Sequence, residues 1–283
     1  MPALPLPWPF DRGYMQLALV AGAVVGACAP LVGAFLVQKR LSLMGDGIGH
    51  LAFAGVAAGL LAGIWPVWTA LAAAVVGAVG IERLRSRGRA SGDVVLAVFF
   101  YSGIAAGVVL SSLAGSLDAN VLPYLFGSIL TVSPADAVTV VALGLAVASV
   151  VALSWRTLFA AVLDEDGGRV AGLPVDRINL LLAVLAAVTI VAAMRVVGVL
   201  LVAALMVLPV GAAQRLASSF RTTLVVSSMV GVAAVVVGLA VARMAGLAPG
   251  GTIVLLAAGF FFAVSLPHPA SIDRLLRRSR TGP

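Results

Sequence analysis

Lysine is nearly absent from this chain: of its 18 basic residues, all but Lys39 are arginine. Gln38 precedes that lysine, so no Gly-x-x-x-x-Gly-Lys-Ser/Thr phosphate loop exists and P-loop ATP hydrolysis is excluded. Cysteine occurs once, as Cys28 within the first apolar run, which rules out both a disulfide framework and a thiolate metal cage. Its simplest reading is a small residue at a helix contact. The two histidines, His50 and His268, leave an embedded metalloenzyme few ligands, and neither His-Glu-x-x-His nor Gly-x-Ser-x-Gly is present. Charge of either sign is scarce, at 10% of residues against about a quarter in an ordinary soluble domain.

What remains is apolar: 62% of the chain is hydrophobic, with a mean hydropathy of +1.16. Several runs approach the roughly 20 residues that a helix needs to cross about 30 Å of hydrocarbon. Within lipid each backbone amide must be satisfied inside its own segment or in a closed barrel, and these runs are too continuous for barrel strands. The expected fold is therefore all-α, a polytopic transmembrane bundle forming one domain over 1–283. Crossings are read at 15–37, 42–64, 66–82, 93–114, 134–154, 178–194, 196–214, 222–243 and 251–267, which makes about nine, with eight as the alternative. A proline-interrupted segment near 119–131 is too short to span and reads as re-entrant or interfacial. The N-terminus lacks a basic leader and early cleavage site, so it is expected to be retained, with Trp8, Phe10 and Tyr14 as interfacial anchors.

The net charge of +7 does not mark a nucleic-acid surface, because the basic residues fall in short gaps between apolar runs. They report topology instead. Placing Lys39 and Arg40 on the cytoplasmic side and alternating thereafter puts Arg83, Arg85, Arg87, Arg89, Arg156, Arg169, Arg177, Arg215, Arg221, Arg274, Arg277, Arg278 and Arg280 there too. Arg12, Arg195 and Arg243 alone fall outside. The expectation is an external N-terminus and a cytoplasmic C-terminus. The longest polar connection, 156–177, contains Asp164, Glu165 and Asp166 and closes with Gly172 and Pro174. From composition it is equally a short cytoplasmic helix or a solvated linker.

Asp46 and His50 lie four residues apart in the second crossing, so on a helix they share a face, one turn apart. Counting about 1.5 Å per residue from Arg40 puts His50 roughly 15 Å in, near the midplane. Ionisable groups there cost several kcal/mol unless they face a polar cavity, a partner or an ion. Carboxylate oxygen with imidazole nitrogen suits Zn²⁺ or Mn²⁺, and a second copy related by a two-fold axis would complete four ligands. Two other readings use the same residues: an Asp–His hydrogen bond that ties two helices together, and a proton relay in a secondary transporter. Gly45 and Gly49, then Gly55, Gly59 and Gly63, recur at four-residue spacing and suit close helix packing. His268, between Pro267 and Pro269, reads as structural.

Three strings together resemble the membrane permeases of the zinc, manganese and iron ABC importers. They are Ser42-Leu43-Met44-Gly45-Asp46 with His50, Tyr124-Leu125-Phe126-Gly127-Ser128-Ile129-Leu130, and Val197-Gly198-Val199-Leu200-Leu201-Val202-Ala203-Ala204-Leu205-Met206-Val207-Leu208-Pro209. The resemblance implies a bacterial cytoplasmic-membrane permease that is not itself an enzyme. It implies a homodimer, cytoplasmic ABC ATPase subunits that alone bind ATP, and an extracytoplasmic metal-binding protein that delivers the ion. No covalently held cofactor is implied. Asp46 and His50 become the metal ligands, and Asp164, Glu165, Asp166 and Gly172 become part of the loop that docks on the ATPase. Gly47 and Gly49 stand where many relatives carry Ala, Thr or Ser, which bears on metal identity. The string from Gly45 to Gly55 resembles zinc permeases more than manganese ones.

Overall fold

The computed structural model describes residues 7–88, 91–114, 121–128 and 132–266, and every described regular element is helical. The helices are α1 (Gly13–Gln38), α2 (Met44–Ala62), α3 (Pro66–Ser86), α4 (Gly92–Leu113), α5 (Leu122–Phe126) and α6 (Pro134–Leu153), followed by α7 (Trp155–Leu163), α8 (Glu165–Val170), α9 (Val175–Ala193), α10 (Val199–Leu216), α11 (Phe220–Ala245) and α12 (Pro249–Ser265). Eight of them are long and apolar enough to span a membrane, and α12 adds a ninth apolar helix of 17 residues. The multi-pass all-α reading holds, and its nine runs match these nine helices. His268, Arg89, the C-terminal arginines and the ends of the 119–131 segment lie outside the described residues.

Local chemistry explains the boundaries. Pro66, Pro134 and Pro249 open α3, α6 and α12, where a missing amide hydrogen costs nothing. Ser91, Ser133 and Ser219 cap α4, α6 and α11 through their side chains. At Ser133 the cap is reciprocal, because Asp136 accepts from the Ser133 amide while its own amide donates to Ser133 Oγ. Gly63 and Gly246 end α2 and α11 in the left-handed conformation that suits glycine.

The helices alternate in direction, and contacts at their ends follow that alternation. At one end Lys39 pairs with Glu165, and Phe35 meets Trp155 and Phe220 edge-on. At the other end Arg243 pairs with Asp11 and Arg195 with Asp136. Partners that the charge pattern assigned to one side therefore meet on one side. Two of the three basic exceptions, Arg195 and Arg243, are neutralised by carboxylates, and Asp11 also lies 3.5 Å from the third, Arg12.

α1, α2 and α9 are the most enclosed spans, whereas α4 is the most open, with 28% of its span buried. Small residues let the inner helices approach. A Cβ on Gly26 would lie 2.8 Å from the Gly231 carbonyl oxygen, and a Cβ on Gly33 would collide with the Met206 backbone. Lipid offers no hydrophobic drive to associate helices, so close van der Waals packing of this kind must supply it. Cys28 is buried, with Sγ 3.4 Å from the Gly144 carbonyl oxygen, as a packing residue would be.

Between α6 and α9 the chain forms two short helices that composition did not resolve. α7 packs an aromatic cluster in which Trp155 and Phe159 stack 5.7 Å apart and Phe220 joins both. Asp164 then caps α8 by accepting the Gly167 amide at 2.9 Å, and Gly172, at φ 83, turns the chain toward Pro174. Of the two sequence readings of this connection, the short helix is the observed one.

Candidate functional site

α2 carries Asp46 and His50 and is enclosed by α3, α4, α9 and α10. Its glycines divide between neighbours. A Cβ at Gly45 would lie 3.1 Å from Ala203 Cβ and one at Gly49 would lie 3.1 Å from the Val199 carbonyl oxygen, so this pair admits α10. Gly55 and Gly59 instead admit α3: a Cβ at Gly55 would lie 2.6 Å from the Thr69 carbonyl oxygen, and one at Gly59 would collide with Thr69 Oγ1. The regular spacing thus serves two helices, and Gly63 belongs to the helix end rather than to packing.

α4 crosses α2 at His50 itself. A Cβ on Gly103 would lie 2.8 Å from the His50 carbonyl carbon, and one on Gly107 would collide with the Phe53 ring. Phe100, one turn before Gly103, sets its ring edge-on to the imidazole with centroids 4.4 Å apart. On the same side of α2 a cavity of about 240 Å³ opens between α2 and α4. Asp46, Asp93, Phe100 and Tyr101 line it, together with Leu43, Leu96 and Ala97. Sequence reasoning passed over Asp93 because it sits in the polar first turn of α4, where an acidic residue is ordinary.

Asp46 and His50 are both half-buried. Among the described residues neither side chain makes a hydrogen bond or an ion pair, so the helix-tying Asp–His bond is not the observed arrangement. No group of three or more His, Cys, Asp or Glu side chains gathers among the described residues. One chain therefore offers an oxygen donor and a nitrogen donor on one face. Residues 39–43 connect α1 to α2, which begins at Met44, so His50 stands about 9 Å along the helix from its first residue.

The three strings singled out in the sequence converge. Gly127, at φ 74, ends α5 with its Cα against the Val196–Val197 backbone, and Gly198, at φ 93, faces Leu125, Phe126 and Gly127. The Ser128 amide reaches the Arg195 carbonyl oxygen at 3.4 Å. From Gly198 onward α10 runs along the Gly45–Gly49 face of α2. A segment near 124–128 is thus locked to the start of α10, which is locked to the helix bearing Asp46 and His50.

The loop residues lie at the Lys39 end. Glu165 accepts from Lys39 Nζ at 2.9 Å and from Asn179 Nδ2 at 2.5 Å. Burial raises its carboxyl, but the hydrogen bonds from Asn179 and Lys39 and the charges of Lys39 and Arg85 outweigh that and hold it below the usual glutamate range. Asp166 is exposed and 3.5 Å from Arg169, which also reaches Asp176 at 3.3 Å. Leu163 and Val170 are left 65% and 91% exposed, unusual for apolar side chains beside a charged helix.

A family model described as "ABC 3 transport family" matches residues 11–267. A Treponema pallidum (strain Nichols) protein named "Probable metal transport system membrane protein" is 33% identical over 84% of this chain and 89% of its own length. The manganese import system permease protein ScaB of Streptococcus gordonii is 30% identical over 95% of each chain. Among solved structures, PsaBC from Streptococcus pneumoniae in complex with Fab superposes with a TM-score of 0.83 at 30% identity, covering 94% of this chain and 96% of the other.

Proposed function

This chain belongs to the ABC 3 transport family, and on that premise we propose that it is the permease of an ABC-type importer whose cargo is a divalent first-row metal ion. The observation that carries the reading is the pair Asp46 and His50. They are two unlike donors one turn apart on an enclosed transmembrane helix, with no hydrogen-bond or ion-pair partner among the described residues and a cavity that Asp46 lines. Such groups are stable in a membrane when they face an ion or a wet path. Two ligands bind weakly, which suits a site that must release its ion.

The cargo is manganese or zinc. An oxygen–nitrogen pair accepts both. Relatives named for manganese weigh toward the first, and the Gly45–Gly55 string toward the second. A second copy of the chain covers the open α2–α4 groove and brings its own Asp46 and His50, which supplies four ligands. A separate ATPase docks on α7 and α8, where the exposed Leu163 and Val170 supply an apolar anchor. An external metal-binding protein delivers the ion. The end that gathers Lys39, Arg40, Arg83, Arg85, Arg87, Arg156, Arg169 and Arg177 is the cytoplasmic one, with the N-terminus outside. ATP binding in the partner shifts the bundle between outward and inward access.

The test is metal-stimulated ATP hydrolysis and metal uptake by the complex reconstituted in vesicles, with Mn²⁺, Zn²⁺ and Fe²⁺ compared. Wild type is expected to respond to one of the first two metals, and His50→Ala and Asp46→Ala to lose at least tenfold of that uptake while the complex still assembles. Gradient-driven flux through the chain without an ATPase, or wild-type uptake in both variants, would overturn the reading.

A further inference from the structure

Lys39 is the only lysine in the chain, and its side chain is just 5% exposed. The ammonium donates to Glu165 Oε1 at 2.9 Å and to Asn179 Oδ1 at 2.5 Å, while Asn179 Nδ2 donates to the same Glu165 oxygen. Three elements meet in this ring: the end of α1, the first residue of α8 and the second turn of α9.

On the other side of Lys39 the chain reverses at once. The Arg40 amide donates to the Val37 carbonyl and the Leu41 amide to the Leu36 carbonyl, a helix ending that places Arg40 in the left-handed region. Arg40, at φ 59, is the one non-glycine residue among the described residues with a positive φ. The turn is therefore held by its hydrogen bonds against the preference of its own residue. Met44 follows, and Asp46 lies in the first turn of α2.

We propose that Lys39 is a positioning residue that couples α8 to the metal path: the Lys39–Glu165–Asn179 ring transmits displacement of α8 into the 39–43 turn and so to Asp46 and His50. The proposal rests on the permease reading above. α8 is six residues long and buries only Gly168, so apart from its covalent ends it has few grips on the bundle. An enclosed ammonium cannot swing away from its carboxylate without leaving a charge unpaired in a poorly screened site, which makes the ring stiff. An apolar pair would hold α8 without fixing its direction, whereas a two-acceptor ammonium ties one geometry.

The experiment measures metal uptake and ATP hydrolysis in the same vesicles, using the chain reconstituted with its ATPase and either Mn²⁺ or Zn²⁺. Lys39→Met is expected to assemble, to hydrolyse ATP within about twofold of wild type, and to move at least fivefold fewer ions per ATP, and Glu165→Gln to assemble and to show the same fall in ions per ATP. The reversed pair Lys39→Glu with Glu165→Lys is expected to recover at least half of the wild-type ratio. An unchanged ratio in Lys39→Met would overturn the proposal. So would a parallel fall in uptake, hydrolysis and melting temperature, which marks a merely structural anchor. Should Lys39→Met fail to assemble, Glu165→Gln, which keeps the side-chain shape and a hydrogen bond to Asn179, decides by itself. Wild-type vesicles without ATP-driven uptake would instead overturn the permease reading.

Discussion

Arg195 Nη2 lies 2.8 Å from Asp136 Oδ2, joining the α9–α10 junction to the first turn of α6. Asp136 is 3% exposed and also holds the Ser133 amide and hydroxyl, while the guanidinium sits over the Tyr124 ring, 4.7 Å from its centroid. One carboxylate thus organises a helix cap, an ion pair and the approach of α5. Removing the carboxylate takes from the cap its acceptor and from the guanidinium its charge-assisted hydrogen bond, which costs more than the pair itself contributes.

Asp136→Ala is therefore expected to destabilise the protein by about 3–5 kcal/mol. The measurement is the melting temperature of the purified chain in detergent. Asp136→Leu combined with Arg195→Met should recover most of the loss, and a single variant that melts within about a degree of wild type would contradict the account.

Gly103 sets how closely α4 approaches α2 at His50. Gly103→Val must push the helices apart beside the imidazole, at about 1–3 kcal/mol, and is expected to reduce metal uptake tenfold or more, with Gly103→Ala intermediate. Gly251→Ala, where a Cβ meets nothing within 4 Å, is the control and should transport normally. Equal uptake in all three variants would remove α4 from the path.

Gly198 has φ 93 and ψ 143, a conformation open to glycine almost alone, and its Cα faces the α5 backbone. Gly198→Ala is expected to cost roughly 1–3 kcal/mol in backbone strain, with the steric conflict in addition. The loss should appear as faster proteolysis or hydrogen exchange at 121–128 before the rest of the bundle opens. Uniform protection across those residues would show that the junction tolerates a side chain.

Glu165 titrates below its ordinary range because Asn179, Lys39 and Arg85 outweigh its burial; Arg85 is itself paired with Glu82. A carboxyl lowered in the folded state adds stability above its unfolded value, about 4.3, and loses it as pH falls through the folded one. Protection from hydrogen exchange at 164–172, taken relative to the intrinsic rate at each pH, should therefore hold down to about pH 4.3 and fall below it. In Lys39→Met the folded carboxyl moves up toward its unfolded value, so the loss below about pH 4.3 should shrink while its onset stays where it is. An identical profile in wild type and variant would separate Lys39 from the titration of Glu165.

Spans, their number and their alternation were legible residue by residue, because a helix in lipid satisfies its own backbone and writes its length as an apolar run. The charged gaps then sorted the ends, and the pairs Asp11–Arg243 and Lys39–Glu165 agree with that sorting. Asp46 and His50 were legible too, since ionisable groups are conspicuous in an apolar helix. α7 was not, because Trp155 to Leu163 continues the hydropathy of α6, and only its aromatic contacts with Phe35 and Phe220 mark it as a separate helix. Asp93 was hidden by its ordinary place in a first turn.

By itself, then, the sequence determined that this chain crosses the membrane many times and which two ionisable side chains stand together within one apolar helix. The tertiary structure decided which glycine faces which helix, that a cavity lies beside Asp46, and that Lys39 reaches Glu165 across the bundle. The division is physical. Hydropathy and backbone satisfaction act within a segment, whereas close approach and ion pairing depend on surfaces that distant segments bring together, and thirty-one glycines spread along one chain do not say which partner each awaits.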